Sequence, residues 1–143
     1  MWKWAGILLG IGLLAACARA PDAQVIRTSI QAMAAAAEAR DANGVLDHIS
    51  ADFTGNDGAH DRDGLGRLMR AQWLAGRGIG AQPGAIEVEL DGDRATARFA
   101  LRLDDASGRW LMERSARFDV VTGWRREGGT WRCHYANWTR AGR

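Results

Sequence analysis

The chain has 143 residues, 47% of them apolar and 25% charged, with a formal net charge of +2. Those proportions describe one folded domain and exclude both a disordered chain and a multispan membrane protein. The small net charge implies no polyanionic partner by itself, and two cysteines are too few for a disulfide framework.

The N-terminus reads as a separate object. Lys3 is followed by an uncharged run from Ala5 to Ala16, twelve residues long. A transmembrane helix needs about 20 apolar residues, so this run is too short to span. A charged start, a short apolar stretch and small residues are instead the pattern of a secretory signal peptide, residues 1–16. Leu14-Ala15-Ala16-Cys17 resembles the bacterial lipobox. That resemblance implies a diacylglyceryl group on the Cys17 sulfur and cleavage just before it. It also implies outer-membrane sorting, facing the periplasm, because the next residue is Ala18 and not Asp. Two or more acyl chains hold a protein stably on a bilayer, whereas one does so only marginally. With Cys17 modified, Cys133 has no intrachain partner and is expected as a buried free thiol or an intermolecular one.

Residues 17–24 read as a tether and residues 25–140 as the domain. Pro21 suits a first helical turn and Asp22 the positive end of a helix dipole. Ile26, Ile30, Met33 and Ala37 then form one helical stripe, with Asn43-Gly44 as the expected stop. Val45, Leu46 and Ile49 suggest a short second helix, Asp52-Phe53-Thr54 a brief strand, and Asn56-Asp57-Gly58 a turn. Asp61 can cap a third helix with the stripe Leu65, Leu68, Met69 and Trp73, which ends in the glycines 76, 78 and 80 and Pro83. After Pro83 the period changes from 3.6 to 2. Ile86, Val88 and Leu90 alternate with acidic residues, Asp91-Gly92 marks a hairpin, and Ala95 to Leu103 alternates with arginines. A long strand over about 109–126 and a last one over 131–140 follow, joined by Gly128-Gly129. Helices first and strands afterwards predict an α+β domain with helices packed on one face of an antiparallel sheet.

Strict alternation orients the strands. Arg117, Asp119 and Arg125 face outward, leaving Trp110, Met112, Phe118, Val120, Thr122 and Trp124 inside. On the last strand Arg132, His134, Trp138 and Arg140 are outer, and Trp131, Cys133, Tyr135, Asn137 and Thr139 inner. The expected pocket lining is therefore Phe53, Trp73, Trp110, Phe118, Thr122, Trp124, Tyr135 and Asn137, apolar with a polar end. The alternative is that the polar members only satisfy one another and nearby backbone.

This order of elements, closing on Gly123-Trp124-Arg125-Arg126-Glu127-Gly128-Gly129-Thr130-Trp131-Arg132, resembles the nuclear transport factor 2-like superfamily over about residues 25–139. It is similar especially to the small bacterial SnoaL-like proteins, whose closing strands often carry a Gly-Gly-x-Trp turn. The resemblance implies a curved sheet wrapped around the N-terminal helices as a cone-shaped, cystatin-like barrel, and frequent homodimers through the sheet face. Ketosteroid isomerases and polyketide cyclases belong to that superfamily, as do many binding and assembly modules.

Laid on the isomerase pattern without gaps, Asp57 falls on the general base and Met33 on the tyrosine that donates to the oxyanion. Methionine cannot donate, and the only tyrosine is Tyr135, so the donor would have to be Tyr135 or Asn137. Asp57 is more simply a turn residue of Asn-Asp-Gly. His48, His60 and their acidic neighbours form scattered pairs, not a metal site, and no cofactor is expected. Cys133 and His134 are adjacent on a strand and face opposite ways. The Gly-Arg-Gly-Ile-Gly run precedes a strand, so it is no phosphate cradle. Residues 17–93 carry seven arginines against twelve acidic side chains, and residues 94–143 eleven against five, which predicts a basic outer sheet face. Trp138 among those arginines suits a dimer face or an anionic contact. The expected function is a membrane-anchored periplasmic lipoprotein whose domain binds a small apolar ligand or a protein without catalysis, with no nucleic-acid partner. The alternatives are an isomerase- or cyclase-like enzyme using Asp57, and a purely structural envelope component whose interior is filled by Trp73, Trp110 and Trp124.

Overall fold

The computed structural model describes residues 21–75, 78–105 and 116–141. The leader 1–16, residues 17–20 of the tether with Cys17 among them, Trp110 and Met112 lie outside the described residues. Helix α1 spans Asp22–Glu38, entered from Pro21, and buries Ile26 and Ile30 while Met33 packs against the same core. It stops where Arg40 adopts a left-handed backbone (φ 59°) and the Asp41 amide donates back to the Ala36 carbonyl at 2.9 Å. Asn43-Gly44 is therefore not the stop. Both residues lie inside α2 (Ala42–Leu46), because the Asp41 carboxylate accepts from the Gly44 amide at 2.9 Å and starts a new helix first.

Strand β1 (Ile49–Gly55) leads through a turn, with Asn56, Asp57 and Gly58 all at positive φ, into the two-residue β2 (His60–Asp61). Asp61 caps α3 (Arg62–Leu74) by accepting from the Gly64 amide at 2.6 Å. On α3, Trp73 is buried and Leu65 and Met69 pack on the core, whereas Leu68 is exposed. The glycine-rich run after α3 does more than end a helix: Ile79–Pro83 is strand β3. The hairpin β4 (Glu87–Asp91) and β5 (Arg94–Asp105) follows, then β6 (Ala116–Glu127) and β7 (Thr130–Arg140).

The strands form one sheet in the order β2-β1-β7-β6-β5-β3, with β4 on the same edge of β5 as β3. The α+β class and the curved sheet over the helices are as the sequence implies, although the sheet is open and does not close into a barrel. One pairing also departs from an all-antiparallel sheet: β1 runs parallel to β7. Parallel neighbours need a long crossover between them, and everything from α3 to β6 supplies it.

The decisive irregularity is on β7. Trp124 pairs with Cys133, but the preceding Gly123 pairs with Tyr135, so His134 is an extra residue. Such a bulge moves every following side chain to the other face. Trp131 and Cys133 point inward as alternation predicts. Beyond the bulge, Ala136 and Trp138 share a face with Thr122 and Val120, while Tyr135 and Asn137 turn outward with Gly123 and Val121. The Tyr135 ring lies directly on Gly123, where an added Cβ would meet Cε1 at 2.0 Å.

The core sits between α1 and the concave sheet face. Ile26, Ile30, Leu46, Ile49 and Phe53 close on Ala95, Ala97, Trp124, Trp131 and Cys133. Pairing Ala95 with Trp124 sets a small residue beside the largest one, so the indole fills the space without overpacking. The N-terminus of α1 is tied down as well. Asp22 accepts from Arg126 at 2.7 Å and from the Trp131 indole at 3.1 Å, and the Arg126 guanidinium lies 5.0 Å from the centre of the Trp131 ring.

Gly123→Ala should cost about 1–3 kcal/mol in urea unfolding through overpacking against Tyr135. In a Tyr135→Ala background the same substitution should cost well under half as much; equal losses in both backgrounds contradict the register of the bulge.

Candidate functional site

The concave side is apolar where it is described. Phe53, Thr122 and Trp124 are buried in it, Trp73 is buried on α3, and Phe118 is half-buried near the start of β6. Thr122 is the polar exception and is fully engaged: its hydroxyl donates to the Ala97 carbonyl at 3.1 Å and accepts from the Trp124 indole at 2.8 Å. Trp73 differs, because its indole N–H is buried and has no acceptor among the described residues. A buried donor left unpaired costs about 1–3 kcal/mol, so the position calls for a partner.

Tyr135 and Asn137 are not on that side. The bulge places both on the outer face, and Asn137 reaches the β1–β2 turn instead. There its amide nitrogen donates to Asp57 Oδ1 at 3.2 Å, and its amide oxygen accepts from the Asp57 backbone N–H at 3.3 Å. The base and donor candidates of the isomerase comparison thus hold each other in an exposed turn. Trp138 moves the opposite way. It leaves the outer arginine face for the inner one, where it stacks on His60 (centroids 5.7 Å apart, planes at 21°) over Gly55.

The outer face carries the charge. Arg94, Arg125 and Arg132 lie side by side across β5, β6 and β7. Two carboxylates interrupt this row. Arg125 donates to Asp52 on β1 and, at 2.7 Å, to Glu127, which also accepts from the buried Ser50 hydroxyl at 2.5 Å. The hydrogen bond from Arg125 holds the Asp52 carboxyl below its usual range; Ser50 first and Arg125 second do the same for Glu127. The Asp52 and Glu127 contacts raise Arg125 further. Burial, then Arg125 and Arg94, lowers His134, whose ring meets Tyr135 edge-on at 5.2 Å. Sequence reading missed this cluster because Ser50, Asp52, Arg125 and Glu127 come from two strands 70 residues or more apart in the chain. Only the arginine-against-acid imbalance hinted at it.

Among the described residues no group of three His, Cys, Asp or Glu side chains converges as a metal site, and no helix is long and apolar enough to cross a membrane. Cys133 is a buried free thiol that donates to the Tyr135 carbonyl at 3.2 Å, and burial pushes it up to about 12.

The overall arrangement, helices against one curved open sheet, is similar to that of solved structures. An NTF2-like protein with a cystatin-like fold from Novosphingobium aromaticivorans is similar with a TM-score of 0.70 at 21% identity, over 82% of this chain and 80% of that one. The fold is NTF2-like. A protein of unknown function with a cystatin-like fold from Nostoc punctiforme is similar with a TM-score of 0.70 at 16% identity, covering 85% and 92%. An NTF2-like protein of unknown function from Pseudomonas putida is similar with a TM-score of 0.69 at 18% identity, covering 82% and 84%. No family model matches the sequence, and no curated protein matches it either. At such identities these NTF2-like structures share the fold with this chain, and the activity has to be argued from its own residues.

The Cys133 thiol makes a pH test possible. Unfolded, it ionises near its ordinary value of 9.0; folded, it keeps its proton to about 12. Above pH 9 the unfolded state therefore binds fewer protons, and stability falls as pH rises, by at most ~1.4 kcal/mol per pH unit. Urea midpoints should drop between pH 8.5 and 10.5 in the wild type and distinctly less in Cys133→Ala.

Proposed function

We propose that this chain is a lipid-anchored envelope protein, held through Cys17 on the periplasmic side of the outer membrane. In this reading its domain binds a small, mainly apolar ligand bearing one hydrogen-bond acceptor and performs no catalysis. The observation that carries the binding reading is the Trp73 indole N–H, buried on α3 and without an acceptor among the described residues, while the described concave side is apolar apart from the satisfied Thr122 hydroxyl. An acceptor on the ligand would restore the hydrogen bond the fold leaves open, and apolar contact would supply most of the affinity. Asp57 supports the noncatalytic half. A general base needs reach to a bound substrate and a donor opposite it. Here the carboxylate is exposed and engaged by Asn137.

Native mass spectrometry of the protein from its own membrane reads both halves. A mature chain beginning at residue 17 with a diacylglyceryl mass, plus a retained small-molecule adduct, is the expected result. Trp73→Phe removes the unpaired donor while keeping most of the ring. It should retain the adduct about five- to tenfold less, the worth of about 1 kcal/mol, with an unchanged or higher urea midpoint. No adduct in the wild type, or equal retention in both, overturns the binding reading. Separately, Cys17→Ser should shift the protein from the membrane to the soluble fraction; undiminished membrane retention overturns the anchor.

A further inference from the structure

We infer that the protein stands upright on its membrane, with the β6–β7 turn toward the lipid and the β1–β2 turn away from it. This inference rests on the lipid attachment to Cys17 proposed above. Asp22 is the residue that transmits the anchor's position to the fold. It is held by Arg126 at 2.7 Å and by the Trp131 indole at 3.1 Å, both beside the β6–β7 turn. Arg126 also ties in the β4–β5 turn, because its backbone N–H donates to the Asp93 carbonyl at 2.9 Å. One end of the domain therefore gathers the start of α1 and two hairpin turns around a single guanidinium.

Covalent reach makes this geometry directional. Cys17 precedes Asp22 by five residues, so its sulfur cannot lie further than about 18 Å from that end even if the chain is fully extended. The sheet is longer. Strand β6 has 12 residues, about 40 Å at the usual rise. An inverted domain with its acylated residue still in the bilayer is therefore out of reach. The β1–β2 turn lies well up the sheet, where Asn56 accepts from the Trp138 backbone N–H at 2.9 Å and Asp57 meets Asn137. From Thr130 to Asn137 along β7 is roughly 20 Å, allowing for the bulge.

Charge at the lower end does not compete with the anchor. Asp22, Asp91, Asp93 and Glu127 there stand against Arg94, Arg125 and Arg126, and several of these already pair with one another. The basic row of the outer sheet face points sideways in this orientation. The turn carrying the Asp57–Asn137 pair and the His60–Trp138 stack stands about half-way up the sheet in this orientation, clear of the lipid.

Thr130 and Ala59 are both exposed and mark a position at the lower end and one well above it. Cys17 is consumed by the lipid, and buried Cys133 does not compete for a thiol reagent. The lipidated full chain carrying Thr130→Cys or Ala59→Cys can therefore be labelled at one position with a fluorophore. It is then reconstituted in phosphatidylethanolamine–phosphatidylglycerol vesicles containing a headgroup-nitroxide lipid. We expect at least threefold stronger quenching at position 130 than at 59, unchanged by raising the salt. An Asp22→Ala, Arg126→Ala double variant should bring the ratio toward one while the protein stays vesicle-bound. Equal quenching in the parent chain, or stronger quenching at 59, overturns the upright orientation alone. Failure of the wild-type chain to float with the vesicles overturns the anchor and the orientation together.

Discussion

One extra residue in the last strand governs the rest of the structure. His134 interrupts the pairing of β7 with β6, and the strand changes face at that point. Before it, Trp131 and Cys133 join Trp124 under α1. After it, the inner positions pass to Ala136 and Trp138, and Tyr135 settles on the bare backbone of Gly123 outside. A bulge raises local twist and bends its strand, and a bent closing strand is what allows an open sheet to fold over a helix. Without it, Tyr135 and Asn137 would face the core and Trp138 would stand among the outer arginines.

The same interruption separates two chemistries. The concave side keeps apolar groups and one satisfied hydroxyl, and the Trp73 indole N–H, buried on α3, has no acceptor among the described residues. The outer side collects the ionised groups, where Asp52 and Glu127 break up a row of three arginines, and the buried Ser50 hydroxyl completes the set. These ion pairs are largely solvent-exposed and contribute little to stability each. Their effect is to hold β1, β6 and β7 in one register, because Arg125 reaches across β7 to Asp52. Asp57 belongs to neither side. The left-handed turn that positions it also exposes it, and Asn137 engages its carboxylate there.

The contacts around Arg126 connect fold and location. A helix whose first residue is hydrogen-bonded to the closing hairpin cannot swing about its own entry point, so an anchor a few residues upstream constrains the whole domain. In the anchoring proposed above, a lipid on Cys17 would set where the chain is held, and the Asp22–Arg126–Trp131 contacts would set which end is held.

The elements governed by local rules were legible in the amino-acid order. The Ile26-Ile30-Met33 stripe, the Asp61 cap, the Asn-Asp-Gly and Gly-Gly turns and the alternation of β5 each depend on residues within a few positions of one another. The superfamily resemblance is of the same local kind, since it rested on the order of such elements. Tertiary structure decided what depended on distant partners. Arg40 stops α1 because Asp41 finds a better use as the cap of α2. Residues 79–83 become a strand because β5 offers them a free edge. His134 becomes a bulge because Trp124 and Gly123 across the sheet demand different partners. A period-two pattern carries no record of a one-residue insertion in its pairing, so alternation could assign Tyr135, Asn137 and Trp138 a face but could not know that the face had changed.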